Sequence, residues 1–472
     1  MQQDISEAKK DRASNFGPVV KSAAVLISSA LFLACVFFGE GFFPERLANA
    51  STGVFLFFTA GLLLVLLNIL YFAWQILLAM TYKPYDVPED GKLPTCAVII
   101  PAYNEGKDVT DALESVLRCR YPAEKLEIIA VNDGSADDTW YWIQQAAERS
   151  GGRIRAINLP RNGGKRQALY TGIAASKSEI IVTFDSDSIA EEETLRRIAA
   201  PFVHDRSIGA VAGNIRVRNT DKGMIPKMLD VSFVFGFEFL RSAQSRVRSV
   251  LCTPGALSAY RRSAVQPFLR EWVDETFMGH PANIGEDRAI TNILLREGYG
   301  VVFQKTASVF TEMPLEYGGL CRMLIRWGRS NVRENLAMCR FAFRRIDFSD
   351  DDLTGMQVNL VVQMFWMIAP LVFLTYAWYC FANDALAFLG GAVCSIVFWS
   401  TLPAFVYARR YDRQDSLWSY VYGFFSFMTL FWISPYCIFT VGQSGWLTRQ
   451  SAGQRSRERH EIGGDMAHPL PR

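Results

Sequence analysis

Ile180-Ile181-Val182-Thr183-Phe184 runs straight into Asp185-Ser186-Asp187. A short apolar run that stops on polar residues reads as a buried strand. The same design occurs twice upstream. Cys96-Ala-Val-Ile-Ile-Pro101 leads into Ala102-Tyr103-Asn104-Glu105, and Leu126-Glu-Ile-Ile-Ala-Val131 leads into Asn132-Asp133-Gly134-Ser135. Residues 153–158 supply one more strand. Helical spacing fills the gaps, over 110–119, 137–147 and 166–175. Strand and helix in alternation predict an α/β fold with a mostly parallel sheet and helices on both faces. Ligands of such sheets bind outside the carboxyl ends of the strands.

Three of those strand ends carry chemistry. An acidic residue just past a strand can accept a hydrogen bond from a uracil ring or a ribose hydroxyl. Asp185-Ser186-Asp187 has the carboxylates to hold Mg2+ or Mn2+, which bridge protein oxygens to a diphosphate. Asn132-Asp133-Gly134-Ser135 alone is equally a turn. Asn162-Gly163-Gly164-Lys165-Arg166 precedes a helix, where glycines and cations suit a phosphate; a plain basic turn is the alternative, and the Walker pattern is missing. Gly285-Glu286-Asp287-Arg288 opens another helix over 289–296. Its carboxylates either cap that helix or include a general base that takes a proton from an attacking hydroxyl. Residues 322–345 are rich in arginine and aromatics. They read as an interfacial helix, as a place for Arg326 against a diphosphate and Trp327 under a sugar ring, or as both.

The flanks differ in kind from this middle. Residues 19–38 and 54–80 are apolar and long enough to cross a bilayer, with Lys9, Lys10 and Arg12 before the first and Lys83 after the second. Basic residues at both outer ends place the middle domain in the cytosol. Two more spans are predicted at 358–379 and 387–407. A third stretch, 417–441, holds Pro435 and is expected to be broken or re-entrant, because a full crossing would put the arginines after 449 outside; an ordinary fifth span is the alternative. The expected division is a membrane region over 1–88, a catalytic domain over 89–318, an interfacial helix over 319–350, a second membrane region over 351–449 and a disordered polar tail over 450–472. The net charge of +2, from 49 basic and 47 acidic residues, gives no general attraction to nucleic acid. Nine cysteines without CxxC pairs and four scattered histidines argue against a zinc site or a disulfide framework. A non-catalytic carrier is disfavoured, since the spans are nearly free of charge.

Taken together, these motifs resemble the processive family 2 glycosyltransferases, in particular the hyaluronan synthase and rhizobial chitooligosaccharide synthase branch. The resemblance rests on Asp133, Asp185-Ser186-Asp187, Gly285-Glu286-Asp287-Arg288 and Arg326-Trp327, with Arg241-Ser-Ala-Gln-Ser245 and Gly255-Ala-Leu-Ser-Ala-Tyr260 in support. It implies a GT-A type domain that uses a UDP-sugar donor, UDP-GlcNAc with or without UDP-GlcA. The enzyme would invert at the anomeric carbon and pass a growing polysaccharide through the lipid membrane. The alternatives it leaves are a chitin-like or other β-glucan polymer and a glycolipid made on a lipid acceptor. By the same resemblance, Tyr103, Glu105, Asp133, Lys165, Arg166, Asp185 and Arg449 contact the nucleotide sugar. Asp187 with Asp185 holds the metal, Asp287 is the base beside Glu286, and Gly255 and Trp327 meet the acceptor. Arg326-Trp327 belongs to the family's Q-x-x-R-W element, here with Met323 in place of Gln. Cys252-Thr-Pro-Gly-Ala256 departs from the branch's Cys-x-Gly-Pro type, and Trp446-Leu-Thr-Arg449 stands where hyaluronan synthases have Trp-Gly-Thr-Arg.

Overall fold

The computed structural model describes residues 52–347 and 349–443. The expected span at 19–38, the tail and Arg449 lie outside the described residues. The described chain groups into two compact units. One gathers 83–218, 247–363 and 436–443, and the other gathers 52–82, 219–246 and 364–435.

The first unit is built on an eight-stranded sheet in the order β3-β2-β1-β4-β7-β6-β10-β5. Its strands are β1 (Cys96–Ala102), β2 (Leu126–Asn132), β3 (Ile154–Asn158), β4 (Ile180–Phe184), β5 (Ser188–Ala190), β6 (Ile208–Val217), β7 (Leu257–Arg261) and β10 (Gly300–Thr311). A separate hairpin pairs β8 (Thr276–Phe277) with β9 (His280–Pro281). β1, β2, β3 and β4 are parallel neighbours, whereas β7 enters antiparallel between β4 and β6. β1 and β4 are buried at every position, as central strands covered on both faces must be. Pro101 is tolerated inside β1 because β4 pairs only with Cys96 to Ile99, so no ladder bond to β4 is lost there.

β4 and β5 bracket Asp185-Ser186-Asp187, yet four inter-strand steps separate them in the sheet. Flat, those steps would need about 19 Å at ~4.8 Å each. The four chain steps from Phe184 to Ser188 reach at most about 14 Å. The sheet therefore curls, and the Asp-Ser-Asp segment is drawn across its carboxyl-end rim.

One glycine on that rim has no substitute. Gly134 has φ 63°, and a Cβ there would lie 2.4 Å from the Arg161 carbonyl carbon and 2.5 Å from the Asn162 nitrogen. Gly134→Ala meets main chain that cannot swing aside, besides about 1–2 kcal/mol for the left-handed backbone. The expected result is a lower Tm in a thermal melt. A variant that melts normally would refute this close approach.

The second unit holds most of the apolar helical sequence. Among the described residues two are long and apolar enough to cross a membrane, Asp351–Ala382 and Phe388–Ala408. A third qualifies if Asp415–Thr429 and Ile433–Phe439, bent by 51°, count as one span. The break falls at 430–432 and not at Pro435, which sits in the first turn of the short helix. The proline ring crowds the carbonyl four residues back, at Phe431, and removes the bond that would have reached it. The earlier helix Thr52–Thr81 covers the stretch expected at 54–80, and its segment Val65–Thr81 taken alone is shorter than a span. Segment 219–246, which the sequence leaves inside the catalytic block, groups with these helices. Its buried Glu238 accepts hydrogen bonds from Arg410 (2.9 Å) and the Tyr411 hydroxyl, and Asp230 accepts one from Tyr407 (2.9 Å).

Candidate active site

The strand-end loops are tied to one another by their own polar side chains. Asp133, just past β2, is buried, and its two carboxylate oxygens accept from the backbone N–H groups of Gly163 (2.8 Å) and Gly164 (2.9 Å). This clamps the Gly-Gly turn and aims the helix Lys165–Ala175 that follows it. After β1, the Asn104 side chain accepts from the Ala136 N–H (2.9 Å), and the Glu105 N–H donates to the Thr139 hydroxyl (2.8 Å). The Glu105 carboxylate accepts from the Ser186 hydroxyl at 3.0 Å, which links the β1 loop to Asp-Ser-Asp. Tyr103 is half-buried in the same loop, and Asp187 is exposed.

Five of the expected residues converge. Lys165 Nζ lies 2.5 Å from Asp185 Oδ1 and 3.0 Å from Glu286 Oε1. Gly255 passes beside them, where a Cβ would come within 2.6 Å of Lys165 Nζ, and its N–H donates to Asp287 Oδ2 at 3.2 Å. Glu286 and Asp287 open the helix Glu286–Arg296 behind Gly285, whose φ is 72°. A Cβ on Gly285 would overlap the Ser330 hydroxyl, so the helix start is packed tightly on the helix Tyr317–Ala342. The two acids occupy the first turn of this helix, where carboxylates are favourable, and Asp287 Oδ1 accepts from the Arg288 N–H at 2.8 Å.

The electrostatics separate the two acids. Burial works against Glu286 ionising, but Lys165 and Arg326 outweigh it and hold the carboxyl down to about 2. Burial and the neighbouring Glu286 charge push Asp287 above the ordinary carboxylate value, against the pull of Lys165. Adjacent carboxyls driven apart in this way are the pattern of a fixed anion beside a proton acceptor.

Of the other expected residues, Arg326 stands near enough for its charge to act on Glu286. Arg326 and Trp327 lie on Tyr317–Ala342, with Trp327 37% exposed, while Met323 on the same helix is buried. The Arg166 guanidinium is committed to the Trp272 carbonyl and the Glu275 carboxylate, each at 2.6 Å. Sequence reasoning singled out neither of those partners, and no local pattern marks them, since they are 106 and 109 residues away from Arg166. It also passed over Glu334, whose carboxyl burial and the Glu275 charge push up to about 7. An acid set among the arginines of 322–345 was the available signal.

Residues 97–268 match the profile of glycosyl transferase family 2. An N-acetylglucosaminyltransferase of Mesorhizobium japonicum is 29% identical over 371 residues, 78% of this chain and 84% of that protein. The hyaluronan synthase of Streptococcus pyogenes is 27% identical over 438 residues, 92% of this chain and 97% of that one. The chain carries a family 2 glycosyltransferase domain. Among solved structures, a mannosyltransferase of Pyrobaculum calidifontis, in complex with GDP-Man and Mn2+, superposes on this glycosyltransferase with a TM-score of 0.53. It shares 20% identity and covers 77% of this chain and 97% of its own. The expected α/β fold with a mostly parallel sheet, and the glycosyltransferase activity class, hold.

Proposed function

We propose that this glycosyltransferase is an inverting, membrane-embedded enzyme that extends a polysaccharide by β-linkages from UDP-sugars, UDP-GlcNAc among them. The convergence of Lys165, Asp185, Gly255, Glu286 and Asp287 at the carboxyl ends of the sheet carries this reading. Asp287 is the base: its raised proton affinity suits a group that accepts a proton from the acceptor hydroxyl as that oxygen attacks the anomeric carbon. Glu286 stays charged and anchors Lys165, which faces the departing diphosphate. Trp327 offers an exposed ring for an acceptor sugar. The basic residues that flank the apolar segments support a cytosolic face for this domain.

The donor set suits a divalent cation. Asp185 and Asp187 provide two carboxylates at one strand end, and Mg2+ or Mn2+ completes such a site with substrate phosphates and water. When bound, the ion neutralises charge that develops on the leaving UDP. Among the described residues no cluster of three acidic or His/Cys ligands occurs, which leaves coordination positions for the donor diphosphate and water.

The test uses full-length chain in lipid nanodiscs with labelled UDP-GlcNAc, alone and with UDP-GlcA, with Mn2+ or Mg2+. Labelled product of high mass is expected, abolished by EDTA and restored by Mn2+. Digestion by chitinase or hyaluronidase then names the polymer. Product limited to one added sugar would overturn processivity, and label in a lipid extract would favour a glycolipid product.

A further inference from the structure

Lys165 and Arg166 are adjacent, yet they reach Glu286 by different routes. Lys165 meets its carboxylate directly at 3.0 Å. Arg166 is buried, and its Nη1 donates to the Trp272 carbonyl and to Glu275. Its guanidinium carbon lies 5.5 Å from the Trp272 ring centroid. The Trp272 indole N–H in turn donates to the backbone carbonyl of Glu286 at 2.8 Å. A continuous path thus runs from the start of one helix, Lys165–Ala175, to the start of another, Glu286–Arg296.

This path is costly to bury. Arg166 Nε and Nη2 are buried without a hydrogen-bond partner among the described residues. Unsatisfied donors on a buried cation oppose folding, and an apolar side chain of similar length would avoid that cost. A feature that disfavours stability while spanning two catalytic elements is best explained by what it holds in place.

We infer that Arg166 and Trp272 are positioning residues for the base. Together they fix the Glu286–Asp287 main chain against the Gly163-Gly164-Lys165 loop, with Glu275 neutralising the buried guanidinium. Lys165 then finds Asp185 and Glu286 at hydrogen-bond distance on both sides, and Asp287 keeps its contact with the Gly255 N–H. The inference rests on the proposed function, in which Asp287 takes the acceptor proton.

The test compares unaltered chain in nanodiscs with Trp272→Phe, Arg166→Met and Arg166→Lys, measuring UDP release from UDP-GlcNAc with Mn2+ across pH. Trp272→Phe keeps the ring and deletes the indole donor. Its kcat should fall about ten- to a hundredfold, the usual consequence of a reacting group displaced by a fraction of an ångström to an ångström. KM for the donor should stay within about threefold. The acid limb of the kcat profile should move to lower pH as Glu286 drifts from Asp287. Arg166→Met should behave alike, and Arg166→Lys should recover part of the loss by keeping the charge beside Glu275.

Hydrogen exchange supplies a readout without turnover. The amides of Arg288 and Ala289, held by Asp287 Oδ1 and the Gly285 carbonyl, should exchange faster in Trp272→Phe. Those of Gly163 and Gly164, held by Asp133, should keep their protection. A raised KM with kcat intact would make Arg166 a phosphate ligand and overturn the inference, as would unaltered kcat, acid limb and exchange. An unaltered chain inactive with every UDP-sugar would sink the functional reading instead, and exchange would then decide the brace alone.

Discussion

Asp287→Asn is expected to lower transfer by about 10²- to 10⁴-fold, the range that a positioned general base contributes. UDP binding should survive, because the substitution keeps the shape of the side chain and leaves Lys165 and Asp185 in place. The amide can still accept from the Gly255 N–H, which now meets Asp287 Oδ2 at 3.2 Å. What it cannot do is take a proton. The sign of the pH dependence follows from the raised carboxyl. A base must be unprotonated to act, so kcat should rise with pH through a midpoint above the ordinary aspartate value, then level off. Burial is the first cause of that elevation and the Glu286 charge the second. The two acids are one interacting system, so the midpoint belongs to the pair. Steady-state transfer from UDP-GlcNAc across pH, with UDP binding by calorimetry, measures both halves. Activity within tenfold of the unaltered enzyme would remove Asp287 from the role of base.

The parts legible in the sequence are those fixed by local pattern. The sequence marks β4 at its observed bounds, 180–184, and β1 and β2 to within one residue at one end, because each is an apolar run bounded by polar turn residues. The helix that starts at Lys165 and the one after Gly285 are marked by glycines that the backbone needs. What the sequence conceals is pairing over distance. Nothing around 257–261 says that β7 inserts antiparallel between β4 and β6, since strand order is set by contacts between segments remote in sequence. The phenylalanines at 233, 235, 237 and 239 read equally well as soluble core, yet their segment groups with the apolar helices. Arg166 shows the same limit at a single residue. Its place after Gly-Gly-Lys suggests a phosphate ligand, and only the fold reveals Glu275 beside it.

Lys165→Met should be nearly as damaging, by a different cause. Lys165 is a buried cation between Asp185 and Glu286, and although burial opposes its charge, those two carboxylates raise its pKa above the ordinary lysine value. It remains an ammonium at every pH the enzyme can be assayed. Without it, two acids share a crevice with no cation between them, at the place proposed for the donor diphosphate. Donor binding should weaken and transfer fall by about 10²-fold or more, as for loss of one preorganised charge partner. The acid limb offers a sharper check. Lys165 is the main force holding Glu286 to about 2, so its loss should let Glu286 take a proton at distinctly higher pH. Lys165 also draws the Asp287 carboxyl down, so without it the base should take its proton at higher pH and the variant's residual activity should fade earlier on acidification than that of the unaltered enzyme. Lys165→Arg should rescue little, because a planar fork cannot replace a compact ammonium in the space beside Gly255. If Lys165→Met bound the donor normally and kept its acid limb, the ammonium would be a structural counter-ion, and the diphosphate would have to be met by other residues.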